Sequence, residues 1–261
     1  MKLGQLLQNV AVLKFHVSRH GQKMLTQDLD IRAVQYDSRA VEHNDCFVAV
    51  CGTETDGHRY IADAVARGAV AVVLEDDTAL PDSYFAHAAV AKIVVGSSRI
   101  ALATLAGNFY GHPAAEMTVV GITGTNGKTT TAFLTDAVLR AGGWTTGLIG
   151  TVQYRVGDRS FPALHTTPES LDLQRLLAEM RAAATQAVVM EVSSHALDQF
   201  RVHGIHYRSA VFTNLTQDHL DYHGNMERYF GAKRRLFESL DSSSWAVLNI
   251  DDPRGRELTS C

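Results

Sequence analysis

Residues 119–131, reading Val119-Val120-Gly121-Ile122-Thr123-Gly124-Thr125-Asn126-Gly127-Lys128-Thr129-Thr130-Thr131, constrain the fold more than any other stretch. An apolar run enters a glycine-bearing turn. Lys-Thr-Thr then opens a segment whose apolar positions Phe133, Leu134, Ala137 and Val138 repeat at helical spacing. A strand, a glycine turn and a helix in that order form the start of a parallel α/β unit. Such a turn aims backbone N–H groups and a helix N-terminus at a phosphate, and Lys128 adds a point charge. The Thr129 hydroxyl is of the type that holds Mg²⁺ beside the β- and γ-phosphates. The common phosphate-loop pattern has glycine five positions before Gly127, where Ile122 stands here. The shorter form, Gly-x-x-Gly-Lys-Thr-Thr, still makes ATP or a close relative the expected ligand.

The surrounding chain repeats that alternation. Strands are expected to residue 123 and over 145–150, 187–192, 210–213 and 245–250. Helices are expected over 128–141, 169–184 and 227–240. Apolar strands alternating with helices imply a parallel sheet covered on both faces, with ligands at the C-terminal strand ends. Before Gly111-His112-Pro113 a smaller α/β region is expected. Its strands are 31–36, 46–50, 69–74 and 92–95, with a helix over 58–67, an acidic loop over 75–88, and a helix capped by Ser97 or Ser98. The domains read as 1–112 and 113–261.

Three polar features fall near the strand ends. Glu191 closes the run Ala187-Val188-Val189-Met190, where a carboxylate either holds Mg²⁺ or is simply solvated. His219 and His223, four apart, would share a helix face; one metal-ligating histidine, or a capping histidine, fits that pair better than a zinc site. Lys233 falls inside the apolar stripe Tyr229, Leu236, Phe237, Leu240, while Arg234 and Arg235 point to water. A lysine there snorkels, pairs with an acid, or loses its charge and becomes able to take up CO₂ as a carbamate.

Several motifs occur in a joint order and spacing that resembles the Mur ligases, the ATP-dependent amide-forming enzymes of bacterial cell-wall precursor synthesis. They are Asp37-Ser38-Arg39, Asp56-Gly57-His58-Arg59-Tyr60-Ile61, residues 124–131, His165-Thr166-Thr167-Pro168, residues 191–199 with Arg201, residues 214–223, and Tyr229-Phe230-Gly231-Ala232-Lys233. Within the family the likeness is to the branch that adds the third peptide residue to UDP-N-acetylmuramoyl-L-alanyl-D-glutamate. The resemblance implies an α/β chain with a small N-terminal UDP-sugar domain and an incomplete central ATP-binding domain with a mainly parallel sheet. It implies that Gly124, Thr125, Asn126, Gly127, Lys128, Thr129 and Thr130 cradle ATP. By the same likeness Ser38, Thr53, Glu54 and Thr55 contact the UDP-sugar, and Thr166, Thr167, Ser193, Gln199 and Arg201 hold the muramoyl-dipeptide. Thr129 and Glu191 would serve one Mg²⁺, His219 and a carbamate on Lys233 a second, with Lys128, Lys233 and His219 at the chemistry. The expected partners are UDP-N-acetylmuramoyl-dipeptide and an amino acid, meso-diaminopimelate or lysine. Relatives carry a longer central domain and a third, amino-acid-binding domain, so a truncated chain without ligase turnover of its own is expected.

Composition narrows the alternatives. A formal net charge of −4 gives no reason to expect nucleic acid or an anionic membrane as partner. No run is apolar enough to span a bilayer, and Cys46, Cys51 and Cys261 lack metal-site spacing, which fits free thiols in a reducing cytoplasm; a monomer is expected. A folate-type ligase of the same superfamily and a non-catalytic nucleotide-binding module remain as rival readings.

Overall fold

The computed structural model describes residues 1–16, 18–19, 22–23, 29–52 and 55–260. The chain divides into two compact units, Met1–Gly111 and His112–Cys261.

In the first unit, α1 (Leu3–Leu6), β1 (Val12–His16) and the short pair β2 (Ser18–Arg19) and β3 (Gln22–Lys23) precede β4 (Val34–Gln35) and β5 (Asp45–Val48). Then come α2 (Ile61–Ala66), β6 (Ala69–Leu74), α3 (Asp82–Ala88), β7 (Ala91–Val95) and α4 (Ser98–Tyr110). The main sheet has the order β1-β7-β6-β5-β4, parallel except where β1 runs against β7. β6 and β7 are buried nearly throughout because helices cover the sheet, and Phe47, Ile61, Val72, Leu74 and Phe85 form a core. Residues 75–88, expected as a loop, contain α3. Its first residue, Asp82, bonds the buried Lys92 ammonium at 2.8 Å and Lys14 at 2.9 Å, which anchors the helix despite its polar sequence. The helix expected over 58–67 is a 3-10 turn, Gly57–Tyr60, leading into α2.

The second unit begins with β8 (Thr118–Thr123) and α5 (Lys128–Ala141). It continues through β9 (Thr146–Ile149), β10 (Gln153–Val156), β11 (Arg159–Pro162), α6 (Ser170–Ala182), β12 (Ala187–Glu191) and α7 (Ser194–Asp198). Next are β13 (Ser209–Phe212), α8 (Leu220–His223), α9 (Met226–Glu238), β14 (Trp245–Leu248) and α10 (Pro253–Glu257). The sheet order is β11-β10-β9-β12-β8-β13-β14, and β9 through β14 along that order are mutually parallel. The hairpin β10–β11, unread in the sequence, adds an antiparallel edge, and β14 is the opposite edge. No helix was expected after the last strand, yet α10 forms there, capped by the Asp252 carboxylate on Arg254 N–H at 2.8 Å.

Helix α5 departs most from expectation. Phe133, Leu134 and Val138 are 38%, 62% and 71% exposed, and the helix buries Ala132 and Asp136 instead. The loop sets the rotation: Thr129 must face Glu191, and the positions three and seven residues later then point inward. Asp136 is held there by Arg155 and by the Thr146 hydroxyl at 2.6 Å. No described helix is long and apolar enough to cross a membrane.

Candidate active site

Three parallel strands, β8, β12 and β13, end side by side, and their C-terminal loops build the site of the second unit. The loop after β8 leaves the sheet at Gly124, with φ of +147°, and meets α5 at Gly127, with φ of +85°. A Cβ on Gly124 would stand 1.9 Å from Thr213 Oγ1, so only glycine lets the loop lie against β13. Ile122, where a longer loop would have glycine, is fully buried inside β8, so the turn starts two residues after it.

The segment after β13 braces the loop. The Thr213 hydroxyl donates to Asn126 O at 2.7 Å, and the Asn214 side chain pairs both ways with the Asn126 backbone. Thr125 N–H donates to Asn214 O at 2.8 Å. These bonds use the amides of Thr125 and Asn126. The N–H groups of Gly127, Lys128, Thr129 and Thr130 have no acceptor among the described residues, and they form the positive end of a fourteen-residue helix. Lys128 folds back, its ammonium donating to Gly124 O at 3.0 Å and Thr125 O at 2.8 Å. Burial lowers its pKa below the ordinary lysine value, against the opposing pull of Glu191 and Asp218.

Glu191, at the end of β12, is completely buried. Its carboxylate accepts from Thr129 Oγ1 at 2.9 Å, Thr151 N–H at 2.9 Å and Thr151 Oγ1 at 3.1 Å. Thr151 Oγ1 in turn lies 3.1 Å from Thr166 Oγ1. Thr167 donates to the Glu191 carbonyl at 2.9 Å and accepts from Ser193 N–H at 3.1 Å. Arg201 bonds Thr167 O and the Gln199 side chain, and Gln199 reaches the Tyr222 hydroxyl at 3.1 Å. Residues far apart in sequence thus form one continuous polar path from Thr129 to Arg201. A cavity of about 260 Å³ lies over it, lined by the loop together with Thr151, Thr166, Glu191, Ser193 and His219.

Lys233 sits on the buried face of α9 and is 1% exposed. Its Nζ donates to Gly124 O at 2.8 Å and lies 4.5 Å from the Tyr229 ring centre. Burial, helped by the charge of Lys128, pushes its pKa down to about 7. His219 and His223 both bring their rings against His195 and Tyr229, although only His223 lies within α8. His219 precedes α8 in a left-handed conformation with φ of +51° and is close to Asp218, whereas His223 is buried with Nε2 3.0 Å from Ser194 Oγ. One helical turn joins them, the His223 N–H donating to His219 O at 3.0 Å.

The donor types fit one hard cation at Glu191 and Thr129, where oxygens converge. Among the described residues no group of three or more His, Cys, Asp or Glu side chains is arranged to hold a metal. As an ammonium, Lys233 is a donor and not a ligand; only its CO₂ adduct would supply oxygen ligands. In the first unit, Ser38 is nearly buried in a turn capped by Asp37, and Thr55 is exposed with its hydroxyl 3.3 Å from Tyr60. Thr53, Glu54 and Cys261 lie outside the described residues; Cys46 and Cys51 are free thiols. Thr151, Thr213 and Tyr229 were given no role from sequence. Thr213 carries a signal in the polar cluster that follows it, and Tyr229 in the apolar stripe of α9; Thr151 carries none.

Two family models match the chain: the Mur ligase middle domain over residues 122–260, and the Mur ligase family catalytic domain over residues 30–110. Similar curated relatives are named UDP-N-acetylmuramoyl-L-alanyl-D-glutamate--2,6-diaminopimelate ligase. That of Solibacter usitatus (strain Ellin6076) is 47% identical over 99% of this chain and 50% of the relative. That of Geobacillus kaustophilus (strain HTA426) is 50% identical over 86% of this chain and 45% of the relative. A solved structure of a ligase with that name superposes with a TM-score of 0.75 at 26% identity, covering 92% of this chain and 48% of the other. The MurF ligase from Thermotoga maritima in complex with ADP gives 0.56 at 27% identity, over 88% of this chain and 48% of that one. The chain spans about half the length of the curated relatives it matches.

Proposed function

The chain belongs to the Mur ligase family, and on that premise we propose that it is the UDP-sugar- and ATP-binding part of a ligase of peptidoglycan precursor synthesis. The reaction joins an amino acid to UDP-N-acetylmuramoyl-L-alanyl-D-glutamate. The relatives' names favour diaminopimelate as the residue added. The observation that carries this reading is the polar path from Thr129 through Glu191 and Thr167 to Arg201. It links a phosphate-type loop to a cationic side chain suited to a peptide carboxylate.

The four unpaired amides at the start of α5 receive the β- and γ-phosphates, and Lys128 swings from its carbonyl partners onto them. Arg201, with Thr166, Thr167, Ser193 and Gln199, holds the D-glutamyl carboxylate in line with the γ-phosphate. A carboxylate oxygen attacks that phosphorus, ADP leaves, and an acyl phosphate forms. The amine of the incoming amino acid then displaces inorganic phosphate and gives up a proton, leaving an amide. Mg²⁺, when bound, would neutralise the phosphates; Glu191 and Thr129 would hold one ion, His219 and Lys233 another. Lys233 would serve as a carbamate, for which its neutral amine would add CO₂, the nitrogen lone pair bonding to carbon and one proton passing to solvent. Ser38, Thr53, Glu54 and Thr55 would contact the UDP-sugar. Dependence on ATP and a UDP-linked precursor supports a cytoplasmic location.

Calorimetric titration of this chain tests the reading. ATP with Mg²⁺ should bind, Lys128→Ala should weaken that binding at least about tenfold, a loss of the size expected for charge-assisted phosphate bonds, and UDP-N-acetylmuramoyl-dipeptide should bind where a folate does not. Failure of the wild-type chain to bind either ligand ends it. A second reading is a nucleotide-binding module that does not turn over. ADP release dependent on the muramoyl substrate separates the two.

A further inference from the structure

We infer that Tyr229 is a positioning residue that locks the opening of the nucleotide loop to helix α9, and so sets the spacing between bound nucleotide and Lys233. The inference rests on the reading of residues 124–130 as the nucleotide loop. Tyr229 is 1% exposed, and a phenol taken that far from water needs a partner for its hydroxyl. The partner is Thr125 Oγ1, 3.1 Å away and itself nearly buried.

The valence of Thr125 fixes the direction of that bond. Its hydroxyl donates to Thr216 O at 3.1 Å and accepts from Thr216 N–H at 3.0 Å. A hydroxyl has one proton and two lone pairs, so the remaining lone pair accepts from Tyr229. With its amide given to Asn214, Thr125 has neither a side-chain nor a backbone donor left for phosphate. Its place in the loop is structural: it ties α9 and the segment after β13 to the turn.

Lys233 is one helical turn beyond Tyr229 and grips the neighbouring residue, donating to Gly124 O at 2.8 Å. α9 therefore holds the loop at two successive residues, by a carbonyl and by a hydroxyl. The rings of His219 and His223 also abut Tyr229, with centroids 6.1 and 5.2 Å away. If the hydroxyl bond is lost, the loop can shift relative to Lys233 while the ring still fills its place in the core. Binding of nucleotide, more than folding, is what such a shift would damage.

A double-mutant cycle on this chain tests the inference, with ADP and Mg²⁺ as the titrated probe. Tyr229→Phe should weaken ADP binding about fivefold, the order expected for one buried neutral hydrogen bond. Thr125→Val should weaken it at least as much, and the double variant should match Thr125→Val within about twofold. Thr125→Val reads the same bond from the loop side should the phenylalanine variant fold poorly. If Tyr229→Phe lowers the unfolding midpoint but leaves ADP affinity unchanged, the role is only structural and the inference falls. Losses that multiply across the cycle overturn it as well. A wild-type chain that binds no ADP removes the nucleotide-loop reading, and this inference with it.

Discussion

Lys233 shows how one side chain links stability to chemistry. The unfolded chain keeps the lysine proton to about pH 10.5, whereas the folded chain releases it at about 7. Between those values the unfolded state binds more protons, so stability rises with pH; below 7 the cost of burying the ammonium is fully present. Lys233→Met should remove that slope and stabilise the chain by about 1–3 kcal/mol at pH 6, the gap narrowing toward pH 9 in urea titrations. Gly150 gives a second test. A Cβ there would lie 2.3 Å from Glu191 Oε1, inside a fully buried cluster. Gly150→Ala should displace the carboxylate and remove most of the Mg²⁺-dependent gain in ADP affinity, while metal-free binding stays close to the parent value. At this scale the sequence was a good guide to Lys233, because a cation in an apolar stripe is a visible contradiction. It was mute on Thr151 and on the hydroxyl of Tyr229, whose partners lie 40 and 104 residues away.

Elements were legible where one physical signal dominated. α9 is amphipathic along its length, so the stripe containing Tyr229, Leu236 and Phe237 predicts its inner face correctly. Its start is fixed by Asn225, whose side chain accepts from Arg228 N–H at 2.9 Å. Asn225→Ala should cost about 1 kcal/mol in chemical denaturation of the unit comprising residues 112–261. α5 misled because two signals competed: its apolar stripe pointed one way and the loop's geometry the other, and the loop prevailed. α3 and the β10–β11 hairpin were missed for a different reason. Their stability comes from distant ion pairs and a Gly157 turn with φ of +56°, neither of which leaves a hydrophobic period in the sequence.

At the scale of the whole molecule, alternation of strands and helices was enough to anticipate two α/β units, since apolar strands must be covered on both faces. The order of strands within each sheet was not readable, because local periodicity carries no information about neighbours. The order matters at β14. It pairs only with β13 among the described residues, and Trp245 and Val247 are 67% and 53% exposed. In this chain an edge strand beside an exposed indole is adhesive toward an extended segment, including one from a second copy. The monomer expected from sequence should therefore persist only in dilute solution. Sedimentation should show reversible self-association that rises with concentration, and Trp245→Lys with Val247→Lys should suppress it without altering ADP affinity. The same stickiness would make this border of the sheet the first place where misassembly begins when the chain is produced in quantity.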